Sequence, residues 1–380
     1  MLYHTPKLRS KDLAVIELVE NAREDLRHQL HVPRRWTRSL RRSTLGRVIR
    51  GSNSIEGYRI AKDDVVAAAE GEAVEANAST RAATETYRRA MTHVLGLSQD
   101  RTFAWSTGVI KGLHYMMIEY DLDKDPGRWR QGPIFVVDDD RNETVYHGPD
   151  HELVPALMDE LVARLSGEDT TPVLVRAAMA HLNLAMVHPF RDGNGRMARC
   201  LQTLVLGRAG TLEPLFSSIE EWLGNNHRAY YDMLAATGGG SWRPENDASG
   251  WVRFCLRAHY QQAQTFLRRT RETETVMAIF EELVTHDGLP GRTAFALWDA
   301  GSGFKVRNGT YRTVADVSDQ VASRDLKTLV DAGWLEAHGE KRARYYIATK
   351  ALLDERKRGL ERRVIQDPYT GAAVPERDSP

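Results

Sequence analysis

Most of the chain repeats apolar residues at intervals of three and four, which is the pattern of helices that bury one face. This periodicity predicts helices over residues 11–30, 34–50, 63–73, 81–97, 107–120, 150–165, 172–187, 194–208, 218–235 and 248–269. The run VLVRAAMAHLNLAMV within 172–187 is apolar on nearly every side, so it predicts a central, largely buried helix. The expected fold class is mainly α.

One segment near the middle of the chain has a different pattern. IFVVDDDRNETVYHGP places short runs of β-branched and aromatic residues at 134–137 and 144–146, around a turn rich in Asp and Asn. This arrangement predicts a β-hairpin.

The pattern changes again beyond about residue 273. A helix, VMAIFEELVTH, precedes a segment that resembles a winged helix, with a helix-turn-helix over 311–317 and 320–332 and a wing over 336–347. The final QDPYTGAAVPERDSP has too little apolar content to pack, which predicts a loose tail. The expected organisation is a helical region, a core, a winged-helix-like domain and a partly disordered tail, over 1–100, 101–272, 273–350 and 351–380.

Composition narrows the class of protein. The 380 residues are 42% apolar and 27% charged, with 52 basic and 52 acidic side chains, which is typical of a globular enzyme and not of a disordered or membrane protein. Only Cys200 and Cys255 are present, outside any CxxC spacing, so neither a disulfide framework nor a zinc site is indicated. Charges interrupt every apolar run near the N-terminus, which argues against a secretion signal or a membrane span. We expect a cytoplasmic protein.

The string HPFRDGNGRMAR, residues 188–199, carries the candidate chemistry. Pro189 ends one helix and the Gly193-Asn194-Gly195 turn starts another, whose free N–H groups can bind phosphate. The guanidinium groups of Arg196 and Arg199 can hold further phosphate oxygens. Asp192 is a hard oxygen ligand of the kind that Mg²⁺ takes beside nucleotide phosphates. His188 titrates near neutral pH and suits removal of a hydroxyl proton.

This string resembles the signature of the Fic family, HPFx(D/E)GNGRxxR, and matches it at every specified position. The resemblance extends over roughly 34–265 and implies a helical Fic core that transfers AMP from ATP to a Ser, Thr or Tyr hydroxyl of a protein, including itself. It implies His188 as the base, Mg²⁺ on Asp192, and a nucleotide site formed by Asp192, Gly193, Asn194, Gly195, Arg196, Met197, Ala198 and Arg199. Family members with Lys at the second glycine act as kinases, so Gly195 favours AMP transfer, with other nucleotides left open.

The resemblance also assigns roles outside the string. It makes the hairpin a flap that pairs with the backbone of the target by strand addition, through Val136, Val137 and Tyr146. Its tip, DDDRNET, is acidic. Tyr230 and Tyr231 resemble the paired tyrosines beside the adenosine, although an aromatic pair on a helix is also typical of core packing.

SNSIEG, residues 52–57, resembles the inhibitory motif (S/T)xxxE(G/N) of the same family, at the end of a helix over about 38–57. Ser52, Glu56 and Gly57 match it. We expect the Glu56 carboxylate to pair bidentately with Arg199 and to occupy the space of the γ-phosphate. The alternatives are an ordinary surface glutamate or a residue that positions water for removal of AMP.

A second hypothesis comes from the winged-helix pattern: a DNA-binding regulator in which the Fic part senses nucleotide. Asp316, Asp319, Asp325 and Asp331 lie on or near the predicted recognition helix and would repel phosphates, so a protein-binding or homodimer-forming role is equally compatible. We interpret His181 as a structural core residue and the basic run RRWTRSLRR as a solvated helix face.

Overall fold

The computed structural model describes residues 1–31, 34–138, 143–167, 169–210, 212–361 and 364–374, except for a few side chains within these ranges. Five helices come first: α1 Ser10–His31, α2 Thr37–Ile55, α3 Val65–Glu70, α4 Ala78–Gln99 and α5 Thr107–Ile118. The predicted hairpin follows, with strands β1 Phe135–Asp138 and β2 Glu143–His147. The mainly α-helical expectation is confirmed.

The centre of the molecule is built on two packed helices. After α6 Val154–Ser166, the apolar run predicted to be buried forms α7 Val173–Val187, which packs against α8 Asn194–Arg208. Nearly every side chain of both helices is buried, because α6 and α12 cover α7 while α4 and α5 cover α8. The short α9 Pro214–Ser217 comes next.

Two predicted helix boundaries are wrong. The segment expected to be one helix over 218–235 forms α10 Glu220–Asn225 and α11 His227–Gly238, because Asn226 leaves the helical conformation with φ −125°. Conversely, α12 Ser249–His286 is a single helix of 38 residues. It contains no proline, and no glycine after its second residue, so nothing interrupts it at the predicted domain boundary.

The C-terminal segment contains the two predicted helices and the predicted hairpin. The remaining elements are α13 Ala294–Gly301, α14 Asn308–Ala315, α15 Asp319–Asp331, β3 Leu335–His338, β4 Tyr345–Ala348 and α16 Lys350–Lys357. Asp325 does not face outward as expected: its carboxylate is buried, where Arg292 and the Tyr311 hydroxyl donate to it.

The prediction of a loose tail is wrong for residues 364–374. Arg257 on α12 donates to Asp367, its guanidinium lies 5.5 Å from the ring centroid of Tyr369, and the Tyr369 hydroxyl reaches Asp12 on α1 at 3.3 Å. A few specific contacts therefore hold this segment against α1 and α12. Within the described ranges, no helix has both the length and the apolarity needed to cross a lipid bilayer.

Candidate active site

The turn between α7 and α8 places the predicted catalytic histidine. His188 follows the last residue of α7 in the left-handed conformation, with φ 50°, and Pro189 prevents the helix from continuing. Gly193 precedes α8 with φ 73°, and a Cβ there would lie 2.7 Å from Cδ1 of Ile118. Only glycine satisfies both demands, so the tight turn depends on this residue.

The hydrogen bonds of His188 define which ring nitrogen is available. Nδ1 lies 3.0 Å from the carbonyl oxygen of Ala185, and since a carbonyl can only accept, Nδ1 carries the proton. Nε2 then has the free lone pair. Burial lowers the pKa of His188, and the Ala185 carbonyl and the Glu56 charge partly offset that effect. The imidazole is therefore neutral and able to accept a proton at neutral pH.

Arg130, which the sequence analysis missed, braces this turn. Its Nε donates to the His188 carbonyl at 2.9 Å, its Nη2 lies 3.4 Å from the Val187 carbonyl, and its backbone N–H donates to Pro189 at 2.9 Å. The side chain is buried, and its remaining donors also reach backbone carbonyls. A guanidinium thus occupies the negative C-terminal end of α7. No motif marks an arginine 58 residues before the histidine.

His114 is a second residue that sequence reasoning missed. Gly127 donates its N–H to Nδ1 of His114 at 2.9 Å, so Nε2 carries the proton and donates to the Asp192 carbonyl at 2.9 Å. Its ring stacks on Phe190, with centroids 3.6 Å apart. Burial lowers the pKa of His114 to about 4, which keeps the ring neutral and fixes the loop from its outer side.

The first turn of α8 lies where the phosphate cradle is predicted. The Asn194 side chain does not point toward a ligand: it accepts from the Phe190 N–H at 2.9 Å and donates to the Phe190 carbonyl at 2.8 Å. Met197 and Ala198 are fully buried in the core. The structure thus leaves the backbone N–H groups of this turn to meet an anion and gives these three side chains a structural role.

Arg196 points into the site with unused hydrogen-bonding capacity. Its guanidinium carbon lies 5.1 Å from the ring centroid of Tyr58, and Nη2 is 3.5 Å from the Tyr120 hydroxyl. Within the described residues, Nε and Nη1 are buried and have no hydrogen-bond partner. Buried charged donors without acceptors are costly, so this side chain is suited to an anionic ligand that completes its contacts.

Asp192 is the predicted metal ligand. Its Oδ1 accepts from the Gly193 N–H at 2.6 Å, while Oδ2 lies 3.7 Å from Nζ of Lys124 and the side chain is 36% exposed. In the part of the chain that the structure describes, no group of three or more His, Cys, Asp or Glu side chains is arranged to hold a metal ion. A single exposed carboxylate fits Mg²⁺ that takes its other ligands from water and substrate phosphates.

Glu56 meets Arg199 as the motif predicts, with one difference in geometry. Oε1 accepts from Nη2 of Arg199 at 2.8 Å. The pair is not bidentate, because Arg199 Nε donates to the Ser52 hydroxyl at 2.8 Å and Nη2 also reaches the Ser52 carbonyl at 3.0 Å. Gly57, with φ 83°, ends α2 immediately afterwards. Burial alone would lower the pKa of Arg199, but the charge of Glu56 contributes to raising that pKa above its ordinary value.

The Glu56 carboxylate lies over the N-terminus of α8. A Cβ at Gly195 would be 2.3 Å from Glu56 Oε1 and 3.1 Å from Nη1 of Arg199. Glycine at this position therefore permits the close approach of the carboxylate. An anionic side chain occupies the place where the helix N-terminus favours negative charge.

A buried network ties Ser52 to the rest of the core. The Ser52 hydroxyl donates to the Tyr87 hydroxyl at 3.0 Å, and Tyr87 donates in turn to the carboxylate of Glu220 at the start of α10. Thr203 on α8 donates to the same carboxylate at 3.2 Å. The Arg199 contact of α2 is thus supported by a chain of hydrogen bonds, which the sequence pattern does not reveal.

The predicted tyrosine pair is divided between two roles. Tyr230 is buried, with its hydroxyl 2.9 Å from Nε2 of His181, and both nitrogens of His181 are engaged as expected for a structural residue. Tyr231 is 43% exposed and donates to the carbonyl of Ile55 at 3.0 Å. Tyr231 therefore contacts the end of α2, while the buried ring of Tyr230 adjoins the site from the core, with its centroid 6.0 Å from the guanidinium carbon of Arg199.

The hairpin is present where the flap was predicted. Its strands are antiparallel and pair Val136 with Tyr146. Tyr146 faces the core and donates to the Met186 carbonyl at 2.9 Å, so its side chain supports α7 and is not available to a target. Val136 is half-buried. The Val137 side chain and the predicted tip at 139–142 lie outside the described residues.

The fold and the site together define a helical protein in which a helix N-terminus lies beside a neutral imidazole, an arrangement suited to an anionic ligand. The Fic/DOC family model matches residues 104–206, the segment that carries this site. This segment of the chain is therefore similar to the Fic/DOC family.

Curated relatives resemble the same region. The protein adenylyltransferase Fic of Aedes aegypti is 32% identical over 138 residues, 35% of this chain and 25% of the relative. The Nematostella vectensis protein of the same name is 28% identical over 189 residues, 47% of this chain and 40% of the relative. The chain thus spans well under half the length of these relatives.

Solved structures share the fold more widely. A Fic family protein from Desulfovibrio desulfuricans G20 aligns with a TM-score of 0.59 and 21% identity, covering 92% of this chain and 99% of that protein. Fic-1 from Caenorhabditis elegans aligns with a TM-score of 0.53 and 22% identity, covering 67% of this chain and 72% of the solved chain. At these identities the likeness shows the fold alone.

Proposed function

We propose that this protein is a protein adenylyltransferase that transfers AMP from ATP to a hydroxyl of a protein, and that Glu56 inhibits it. One observation carries the proposal: Nε2 of His188, on a neutral ring and without a hydrogen-bond partner among the described residues, lies beside a helix N-terminus over which the protein's own Glu56 carboxylate is placed. The names of the curated relatives support the same reaction. Alternatives that use another nucleotide or remove AMP have no separate support in the geometry.

The reaction follows from the available groups. Nε2 of His188 accepts the hydroxyl proton as the hydroxyl oxygen attacks the α-phosphorus, the bond to the bridging oxygen breaks, and pyrophosphate leaves. The backbone of the α8 N-terminus and the unpaired donors of Arg196 bind the phosphates. Asp192 would hold Mg²⁺, which supplies neutralisation of phosphate charge when bound. Arg130 and His114 hold the turn so that the imidazole keeps its orientation.

The substrates follow from the same site. ATP is the proposed nucleotide, and the acceptor is a protein hydroxyl, including one on a second copy of this chain. β1 pairs only with β2 among the described residues, so its other edge is suited to strand addition by a target segment. Cys200 and Cys255 are buried free thiols, which is compatible with the proposed cytoplasmic location.

The position of a radioactive label in ATP tests the reaction type. Protein incubated with Mg²⁺ and ATP labelled at the α-phosphate should become labelled, while ATP labelled at the γ-phosphate should leave no label. The Glu56→Gly variant is the sensitive form for this assay, and His188→Ala in the same background is the control. Label from the γ-position would indicate phosphoryl transfer and contradict the proposal.

A further inference from the structure

A cleft separate from the candidate active site lies between α2, α10, α12 and the C-terminal helices. It contains about 1070 Å³ of space outside protein atoms, part of it open to solvent, and shares no lining residue with the site described above. Its walls include Ser43 of α2, Thr273 of α12 and the turn at Gly303. Concave spaces between packed elements are typical locations of small-molecule sites.

The charge of the lining is strongly positive. Two acidic residues, Glu221 and Glu272, line the cleft. Six basic residues line it as well: Arg47, Arg50, Lys62, Arg268, Arg269 and Arg356. The excess of four positive charges stands out in a chain whose formal net charge is zero. A concentration of cations in one concavity raises the local positive potential and attracts anions.

The two carboxylates are already engaged with part of this set. Arg269 donates to Glu221 through its two terminal nitrogens, Nη1 at 2.6 Å and Nη2 at 2.8 Å, and Arg47 approaches the same carboxylate at 3.8 Å. Glu272 lies 3.9 Å from Nε of Arg268. The carboxylates thus position several arginines on the cleft wall but do not neutralise the positive charge of the whole lining.

Arg356 is one of three lining cations, with Arg50 and Lys62, that these two carboxylates do not bind. It lies on α16, is half-buried, and within the described ranges forms no hydrogen bond or ion pair with another side chain. Burial lowers its pKa, and the charge of Glu272 offsets this only in part. A partly desolvated guanidinium without a partner is suited to bind a carboxylate or phosphate group that enters the cleft.

We propose that this cleft binds a small polyanion carrying phosphate groups, such as a polyphosphate or a phosphorylated metabolite. The planar fork of arginine matches phosphate oxygens, and an excess of four charges matches a multiply charged ligand better than a single carboxylate. The concave shape favours a small molecule over a macromolecule.

One wall of the cleft is formed by α2. α2 contributes Leu40, Ser43, Arg47 and Arg50 to the wall, and the same helix carries Ser52 in its last turns and Glu56 at its C-cap. A ligand that contacts both Arg47 and Arg356 joins α2 to α16. Binding should therefore hold α2 in its docked position, which a slower hydrogen exchange of the α2 amides would report.

Calorimetric titration with inorganic pyrophosphate in the absence of Mg²⁺ tests the proposal. The titration is done in an Arg196→Gln background, which weakens the phosphate cradle of the active site and so separates the two sites. We expect one binding event per chain that weakens as salt is added. Arg356→Gln should reduce its affinity about tenfold or more, and Arg356→Lys should reduce it less.

The matched control is Arg358→Gln on the same helix end, whose side chain is 66% exposed and pairs with Glu355 outside the cleft. It should bind pyrophosphate as the background protein does. The proposal is overturned if pyrophosphate does not bind. It is also overturned if Arg356→Gln and Arg358→Gln reduce the affinity equally while thermal unfolding shows that both variants are folded. Orthophosphate and AMP titrated in parallel distinguish a polyphosphate from a nucleotide source, and neither result depends on transferase activity.

Discussion

The contact between Glu56 and Arg199 makes a quantitative prediction about inhibition. Glu56→Gly removes a charge-assisted hydrogen bond of 2.8 Å to a guanidinium that is fully buried. Such a bond contributes about 1.5–3 kcal/mol. If the closed arrangement is favoured by this amount, its loss raises the population of the open site by about 10- to 150-fold. We expect auto-AMPylation to rise by a factor in that range.

The assay is incorporation of α-labelled ATP into the purified protein over time. Glu56→Gln is the informative comparison, since the amide keeps the shape but loses the charge, and its rate should lie between those of the wild type and Glu56→Gly. His188→Ala in the Glu56→Gly background should be inactive. The reasoning is refuted if Glu56→Gly labels no faster than the wild type while His188→Ala is equally inert.

Four further predictions concern the residues around this contact. Ser52→Ala removes the hydroxyl between Arg199 and Tyr87, so it should lower stability by about 1–3 kcal/mol in urea unfolding and also raise basal labelling. Arg130→Gln leaves buried carbonyls around His188 without donors. In the Glu56→Gly background this change should lower kcat by a larger factor than it raises KM, and Arg130→Lys should recover part of the lost kcat. Gly193→Ala should cost more than about 1 kcal/mol, because φ is 73° and the new methyl meets Ile118 at 2.7 Å. Lowering the pH should reduce both activity and stability: the rate should fall only below the ordinary histidine pKa of about 6.5, since burial lowers the pKa of His188. In the folded protein His114 has a pKa of about 4, and His181 and His259 have pKa values of about 3. Between about pH 6.5 and pH 4 the unfolded chain therefore binds more protons than the folded protein, and each of these histidines lowers the free energy of unfolding by up to about 1.4 kcal/mol per pH unit. Thermal unfolding over a pH series would measure this loss.

The sequence by itself determined the helical class and the turn that carries the candidate chemistry. Apolar periodicity is a local property, so α7, α8 and the hairpin could be placed within a few residues. The turn at Gly193 is equally local, because its positive φ favours glycine. The partnership of Glu56 with Arg199 was expected from a motif, since two short patterns specified both residues.

Only the tertiary structure decided which groups meet across long stretches of chain. Arg130 and His114 reach the catalytic turn from 58 and 78 residues away, and Tyr87 links Ser52 to Glu220 although no spacing connects them. The same holds for Tyr146. The sequence predicted that its side chain would contact a target, whereas in the fold it faces the core and donates to the Met186 carbonyl. Local patterns report the conformation of the backbone, whereas burial, partners and charge at a side chain depend on elements that are distant in sequence and are brought together only by packing.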